Sequence, residues 1–169
     1  SHEIRTPMNG ILGMTELMIG AETDGERREQ LATIKSSADL LLETVNDILD
    51  FSLAESGRLE IRATPFSLRT CVTSLVTLQE PAMEQKQLHF STRFAEGLPE
   101  RVSGDAVRIR QVLANLLGNA QKFTPEGGRV TLDVGTIRQE GTRCVLRFAV
   151  SDTGIGIPGA QQSAIFHAF

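Results

Sequence analysis

No apolar run in this chain of 169 residues exceeds a few positions, whereas a bilayer-crossing helix needs about 20. No charged start followed by an apolar stretch marks a secretory signal. The chain is therefore expected to be soluble and cytoplasmic. Cysteine is scarce: Cys71 and Cys144 lie far apart, without metal-ligand spacing and among apolar or β-branched neighbours. Such a pair reads as free thiols in a reducing compartment. Charge of one sign is also lacking. The 17 basic residues are scattered, the formal net charge is −4, and no block could neutralise a run of phosphates, which excludes nucleic acid as a partner. Neither a Gly-Lys-Ser/Thr phosphate loop nor a three-glycine dinucleotide fingerprint occurs. Internal repeats and low-complexity tracts are missing as well.

What is present is an ordinary globular composition, 40% hydrophobic and 22% charged. Leu31, Ile34, Ala38, Leu41, Val45 and Ile48 repeat at alternating spacings of three and four, predicting one long amphipathic helix over about 27–54. Ile4, Met8, Ile11, Met14 and Leu17 predict a second, ahead of the turn residues between Gly20 and Gly25. A helical hairpin over 1–56 has one broad apolar stripe per helix and nothing assigned to cover it. Pairing with a second copy into a four-helix bundle solves this, so a homodimer is expected.

Gly57 and Pro65 break the heptad, which places a linker at 57–65 and a second unit at 66–169. That unit opens with Ser67 as a helix cap followed by Leu68, Val72, Leu75, Val76 and Leu78, then an alternating strand over Leu88–Phe94. Asp105 caps a further helix with the stripe Val107, Ile109, Val112, Leu113, Leu116 and Leu117, ending near Thr124-Pro125. Two β-rich runs, 129–137 and 143–152, join through Glu140-Gly141 as a hairpin. The expected fold class is α+β: a helical hairpin, then an α/β unit. Ser1 in place of Met, and Phe169 within an apolar pattern, suggest a piece of a longer protein.

Three constellations carry chemistry. In Ser1-His2-Glu3-Ile4-Arg5-Thr6-Pro7, His2 and Thr6 share a helical face and Glu3 adjoins the histidine. A neutral imidazole can attack phosphorus while a carboxylate fixes its tautomer and takes the released proton. The plainer readings are a solvated His-Glu pair and a helix that begins at Thr6-Pro7. If the helix instead runs through Pro7, the bond to the Glu3 carbonyl is lost. In Asn115-Leu116-Leu117-Gly118-Asn119-Ala120-Gln121-Lys122-Phe123-Thr124, two asparagines one turn apart interrupt an apolar helix. Asn is unfavourable there, so the pair asks for a ligand or a structural hydrogen bond. An amide oxygen suits Mg²⁺, and Lys122 can offer a positive charge to phosphates. Finally, Asp152-Thr153-Gly154-Ile155-Gly156-Ile157-Pro158 follows a strand. Its glycines allow a flat ligand close to the backbone or simply a tight turn, and the acceptor-only carboxylate of Asp152 suits an exocyclic amine such as that of adenine.

Taken in order, these segments resemble the histidine kinases of two-component systems, of the type often found as hybrid kinases. Ser1–Pro7 resembles that family's H box, Asn115–Thr124 its N box, Asp152–Pro158 its first glycine box, and Ile165-Phe166-His167-Ala168-Phe169 its F box. The resemblance implies a dimerisation and phosphotransfer hairpin followed by an ATP-binding domain of the kinase and gyrase type. It implies that His2 accepts the phosphoryl group, that Glu3 is its acid-base partner, and that Thr6 serves dephosphorylation of a partner. It implies ATP and Mg²⁺, with Asn119 holding the metal. Asn115, Lys122 and Phe123 would line the nucleotide site, and Asp152, Gly154, Gly156 and Ile157 would recognise adenine. The phosphoryl group would pass to an aspartate on a response regulator receiver domain. Where related ATPases carry a water-activating glutamate, this chain has Asn115, an amide that cannot act as a base.

The family's second glycine box and much of its lid should follow the F box, and its first helix should begin before His2. The chain as it stands is therefore expected to bind ATP weakly or not at all, and a membrane, the inner one, enters only through other parts of the parent. The rival reading is a non-catalytic dimerisation and binding module. His89, alternating with Leu88 and Phe90, reads as solvent-facing, and His167 carries no assigned chemistry.

Overall fold

The computed structural model describes residues 2–162, without the side chains of residues 2–5, 43 and 47. The side chains of His2 and Glu3 and the whole of Ile165–Phe169 thus lie outside the described residues. The chain divides into two compact units, Ser1–Glu60 and Ile61–Phe169.

The first unit is a helical hairpin of α1 (His2–Ala21) and α2 (Gly25–Glu55). Of the two expectations for Thr6-Pro7, the continuous helix is the one found: α1 runs through Pro7. Proline has no N–H, so the bond it would have made to the Glu3 carbonyl is missing from the helix. The reversal depends on acidic caps more than on its glycines, because Gly20 lies within α1 and Gly25 opens α2. Glu22 accepts from the N–H groups of Thr23 and Asp24, both at 3.0 Å. Asp24 then caps α2 by accepting from Glu26 N at 3.0 Å and Arg27 N at 3.2 Å. Between the helices Met8, Thr15 and Ala38 are buried. Lys35 on α2 reaches Glu16 on α1 at 3.3 Å and Asp39 one turn along at 3.1 Å. Asp39 first, then Glu16, holds the Lys35 ammonium above the usual lysine range. Much of the apolar stripe stays exposed in the single chain: Ile11, Met14, Leu17, Met18, Ile34, Leu41 and Ile48.

The second unit is a helix layer packed on a sheet. Its elements are β1 (Thr64–Ser67), α3 (Leu68–Gln85), β2 (His89–Phe94), β3 (Arg101–Gly104), α4 (Ala106–Phe123), β4 (Arg129–Glu140) and β5 (Arg143–Asp152). Strands β2, β4 and β5 form one sheet in that order, with β2 parallel to β4 and β4 antiparallel to β5. β1 and β3 pair separately as an antiparallel ribbon from Thr64 opposite Gly104 to Ser67 opposite Arg101. The core lies between α3, α4 and the larger sheet, where Leu68, Val72, Met83, Leu113, Leu117, Val130 and Leu132 are buried. The other face of the sheet is polar: Ser91 meets Thr131 at 3.3 Å and the Arg93 guanidinium binds the Asp133 carboxylate at 2.7 and 3.0 Å.

Both sequence-read caps are in place. Ser67 Oγ accepts from Thr70 N, and Asp105 Oδ1 accepts from the N–H groups of Val107 and Arg108, each at 3.1 Å. Its other oxygen accepts from Arg62 N at 3.1 Å, tying the approach to β1 to the start of α4. Among the helical stripe residues, Val107, Val112, Leu116 and Leu78 turn out exposed. Only Leu113, Leu117 and Ala120 of α4 are buried.

Candidate functional site

The lower half of α4 and the turn after β5 supply the site. Asn115 and Asn119 stand one turn apart on the exposed side of α4, followed at the next turn by Lys122 and Phe123, also exposed. Neither asparagine side chain bonds to any described residue. The structural hydrogen bond offered as one explanation for them is therefore absent among the described residues, and the amides face solvent with their polar atoms free. The Lys122 ammonium lies 5.3 Å from the centre of the Phe123 ring, a cation over an aromatic face.

The turn after β5 closes on the end of this helix through backbone contacts. Asp152 Oδ1 accepts from Gly154 N at 2.8 Å, folding the chain over its own carboxylate. Ile155 N donates to the carbonyl oxygen of Phe123 at 3.3 Å. A Cβ added to Gly154 would sit 2.6 Å from that oxygen and 2.7 Å from Asp152 Oδ1, so only glycine allows the approach. Gly156 takes a positive φ of 68°, the left-handed conformation that glycine adopts without strain. Next to it, Thr153 Oγ1 accepts from Arg129 N at 2.9 Å and Thr153 N donates to Arg129 O at 3.1 Å, fixing the turn to the start of β4. Ile155 and Ile157 are left exposed, at 82% and 48%. Together with Phe123 they give the turn an open apolar rim beside a polar helix face.

Two of the three constellations, distant in sequence, are thus brought together. His2, Glu3 and Thr6 belong to α1 of the other unit. Thr6 is exposed and engaged with another group. His89 is exposed, as the strand alternation implied.

One participant escaped the sequence reading. Lys86, just past α3, donates from its ammonium to the carbonyl oxygens of Gln121 at 2.7 Å and Lys122 at 2.9 Å. A single lysine after a helix carries no pattern, and only the packing of α3 beside α4 reveals its target.

Comparison with known proteins decides what this arrangement belongs to. Residues 1–57 match the His Kinase A (phospho-acceptor) domain, and residues 104–169 match the ATPase domain shared by histidine kinases, DNA gyrase B and HSP90. The chain belongs to the histidine kinases. It is 40% identical over all of its 169 residues to the signal transduction histidine-protein kinase BarA of Escherichia coli K12, of which it spans 18%. Among solved structures, full-length ShkA in complex with AMPPNP matches 99% of the chain and 35% of its own, at 34% identity and a TM-score of 0.77. Histidine kinase ThkA in complex with the response regulator protein TrrA matches 99% of the chain and 48% of its own, at 26% identity and a TM-score of 0.63. The chain therefore has the α+β class expected of it, a helical hairpin followed by an α/β ATPase-type unit. Among the described residues, no helix is long and apolar enough to cross a membrane.

Proposed function

We propose that this chain is the phospho-accepting and nucleotide-binding part of a sensor kinase: it takes the γ-phosphoryl group of ATP onto His2 and passes it to an aspartate of a response regulator. The observation that carries this reading is the unpartnered Asn115/Asn119 pair on the same helix whose end, at the Phe123 carbonyl, seats the Asp152–Gly154 turn.

The residues fit a purine nucleotide. Asp152 has one oxygen committed to Gly154 N and a second able to accept from an exocyclic amine. Ile155, Ile157 and Phe123 offer exposed apolar surface to a flat ring. Asn115 and Lys122 meet the phosphates with neutral and positive donors, and Asn119 presents a hard amide oxygen. Mg²⁺ held there would neutralise phosphate charge and keep water and phosphate oxygens as its other ligands. An amide at Asn115 cannot take a proton from water, which favours transfer to a nucleophile over hydrolysis. In the transfer, a nitrogen of the His2 imidazole forms the new bond to the γ-phosphorus, the bond from phosphorus to the β,γ-bridging oxygen breaks, and ADP leaves. Glu3 takes the ring proton, and Thr6, one turn along, serves the reverse traffic of phosphate away from the partner regulator.

Two further parts complete the proposal. Residues 1–56 act as the dimerisation and phosphotransfer hairpin, 57–65 as linker and 66–169 as the nucleotide-binding domain, and the kinase works in the cytoplasm as a homodimer. The exposed stripe of Ile11, Met14, Leu17, Ile34, Leu41 and Ile48 supports pairing with a second copy.

The test uses γ-labelled ATP and Mg²⁺ with the chain alone and beside an intact kinase nucleotide-binding domain, followed by acid and base treatment of the label. Acid-labile, base-stable label that disappears in His2→Gln is the expected result. Label retained in that variant assigns the acceptor elsewhere, and no label in either mixture favours a non-catalytic binding module.

A further inference from the structure

The last four carbonyls of an α-helix have no partner within it. In α4 the described structure accounts for each of them. Ala120 O accepts from Thr124 N at 3.0 Å and Phe123 O accepts from Ile155 N at 3.3 Å. The two between, Gln121 O and Lys122 O, both accept from the Lys86 ammonium. These are charge-assisted bonds at the negative end of the helix dipole, where a cation is favoured twice over. The link is also reciprocal, since the Gln121 side chain donates from Nε2 back to Ala82 O on α3 at 3.4 Å.

The backbone under Lys86 is itself held in place. Gln87 adopts a left-handed φ of 54°, its N–H donating to Glu84 O at 2.8 Å, and Leu88 N donates to Met83 O at 2.9 Å. Leu88 and Met83 are both buried in the core. The half-buried lysine is thus anchored at its root by the end of α3 and at its tip by the end of α4.

We propose that Lys86 is a positioning residue for the nucleotide. Its hydrogen bonds go to main-chain oxygens and to none of the side chains assigned to bind ATP. It fixes the turn of α4 that carries Asn119, Lys122 and Phe123 and that offers Phe123 O to the glycine turn. Without the cation, two adjacent carbonyls lose their partners at a half-buried junction, and the final turn is free to fray together with the Ile155 contact that depends on it. The role rests on the nucleotide reading above.

The test compares wild type, Lys86→Met and Lys86→Arg in two measurements: affinity for trinitrophenyl-ATP, and hydrogen exchange of the Ile155 amide. Lys86→Met is expected to weaken binding about tenfold and to speed Ile155 exchange by a similar factor, with Lys86→Arg restoring most of both. Should the methionine variant fail to fold, Lys86→Gln, which retains donors but not the charge, takes its place with the same expected direction. The proposal is overturned if the uncharged variant melts lower yet binds and exchanges as wild type does where it is folded, or if arginine restores neither. If wild type binds no trinitrophenyl-ATP even within a longer chain that carries the expected second glycine box and lid, the nucleotide reading falls and takes this role with it.

Discussion

The N–H of Ile155 and the carbonyl oxygen of Phe123 meet at 3.3 Å, joining the turn after β5 to the end of α4. The hydrogen bond is long for an amide pair, so its persistence depends on close approach of the two backbones, which Gly154 permits. Gly154→Ala would drive a methyl group to 2.6 Å from Phe123 O. The expected outcome is nucleotide affinity reduced by about tenfold or more, equivalent to at least ~1.4 kcal/mol, in a chain that still folds. Isothermal titration with ADP checks it, and unchanged affinity would show that the turn is no part of the site.

The Asp105 carboxyl is held below the usual carboxylate range, first by the N–H of Arg62 and next by that of Arg108. A group with a lowered folded pKa adds stability above its unfolded value, about 4, and loses it as pH falls through the folded one. Asn is as good a helix cap but does not titrate. Asp105→Asn should therefore melt a few degrees below wild type at pH 7, with the two curves converging as pH drops below about 4. Trypsin should also cut faster after Arg62. Parallel melting curves down to pH 3 would rule out the titration.

Gln87 sits at a φ where a β-carbon is strained. Gln87→Gly is expected to stabilise the second unit by roughly 1 kcal/mol, the relief from the left-handed conformation exceeding the entropy of a freer unfolded chain. A higher urea midpoint at an unchanged slope is the check. An unchanged midpoint would mean that the Lys86 and Leu88 contacts have already relaxed the strain.

Leu17 is 71% exposed on α1. If the stripe pairs with a second copy, Leu17→Glu places a charge in a buried seam and should weaken self-association by about a hundredfold or more. Sedimentation equilibrium reads this directly, and a mutant that associates as tightly as wild type would move the dimer interface elsewhere.

How much of this was legible beforehand depended on whether local chemistry or tertiary closure set the feature. Ser67 and Asp105 announced their helices because a cap acts on residues two and three positions ahead. The β4–β5 hairpin was readable from alternation on both sides of Glu140-Gly141. β1 and β3, four residues each with none fully buried, are too short to show a period, and Pro65 within β1 reads as a breaker. The apolar stripe of α4 was misleading in part. Periodicity finds apolar positions but cannot say which side meets the sheet, and Val112 and Leu116 lie on the side that does not. At the site, residue types revealed the asparagine pair and the glycine turn. The Phe123–Ile155 closure and the Lys86 clamp are bonds to main-chain oxygens, which every residue possesses, so composition holds no trace of them.

The ribbon of β1 and β3 has a mechanical consequence. Thr64 opposes Gly104, the residue just before the Asp105 cap, and Arg62 is bonded to that cap directly. Tension arriving along the chain ahead of Arg62 is therefore borne first by the start of α4 and only afterwards, once the ribbon has peeled from Thr64 to Ser67, by the start of α3. The helix that carries both asparagines is the first to feel the pull.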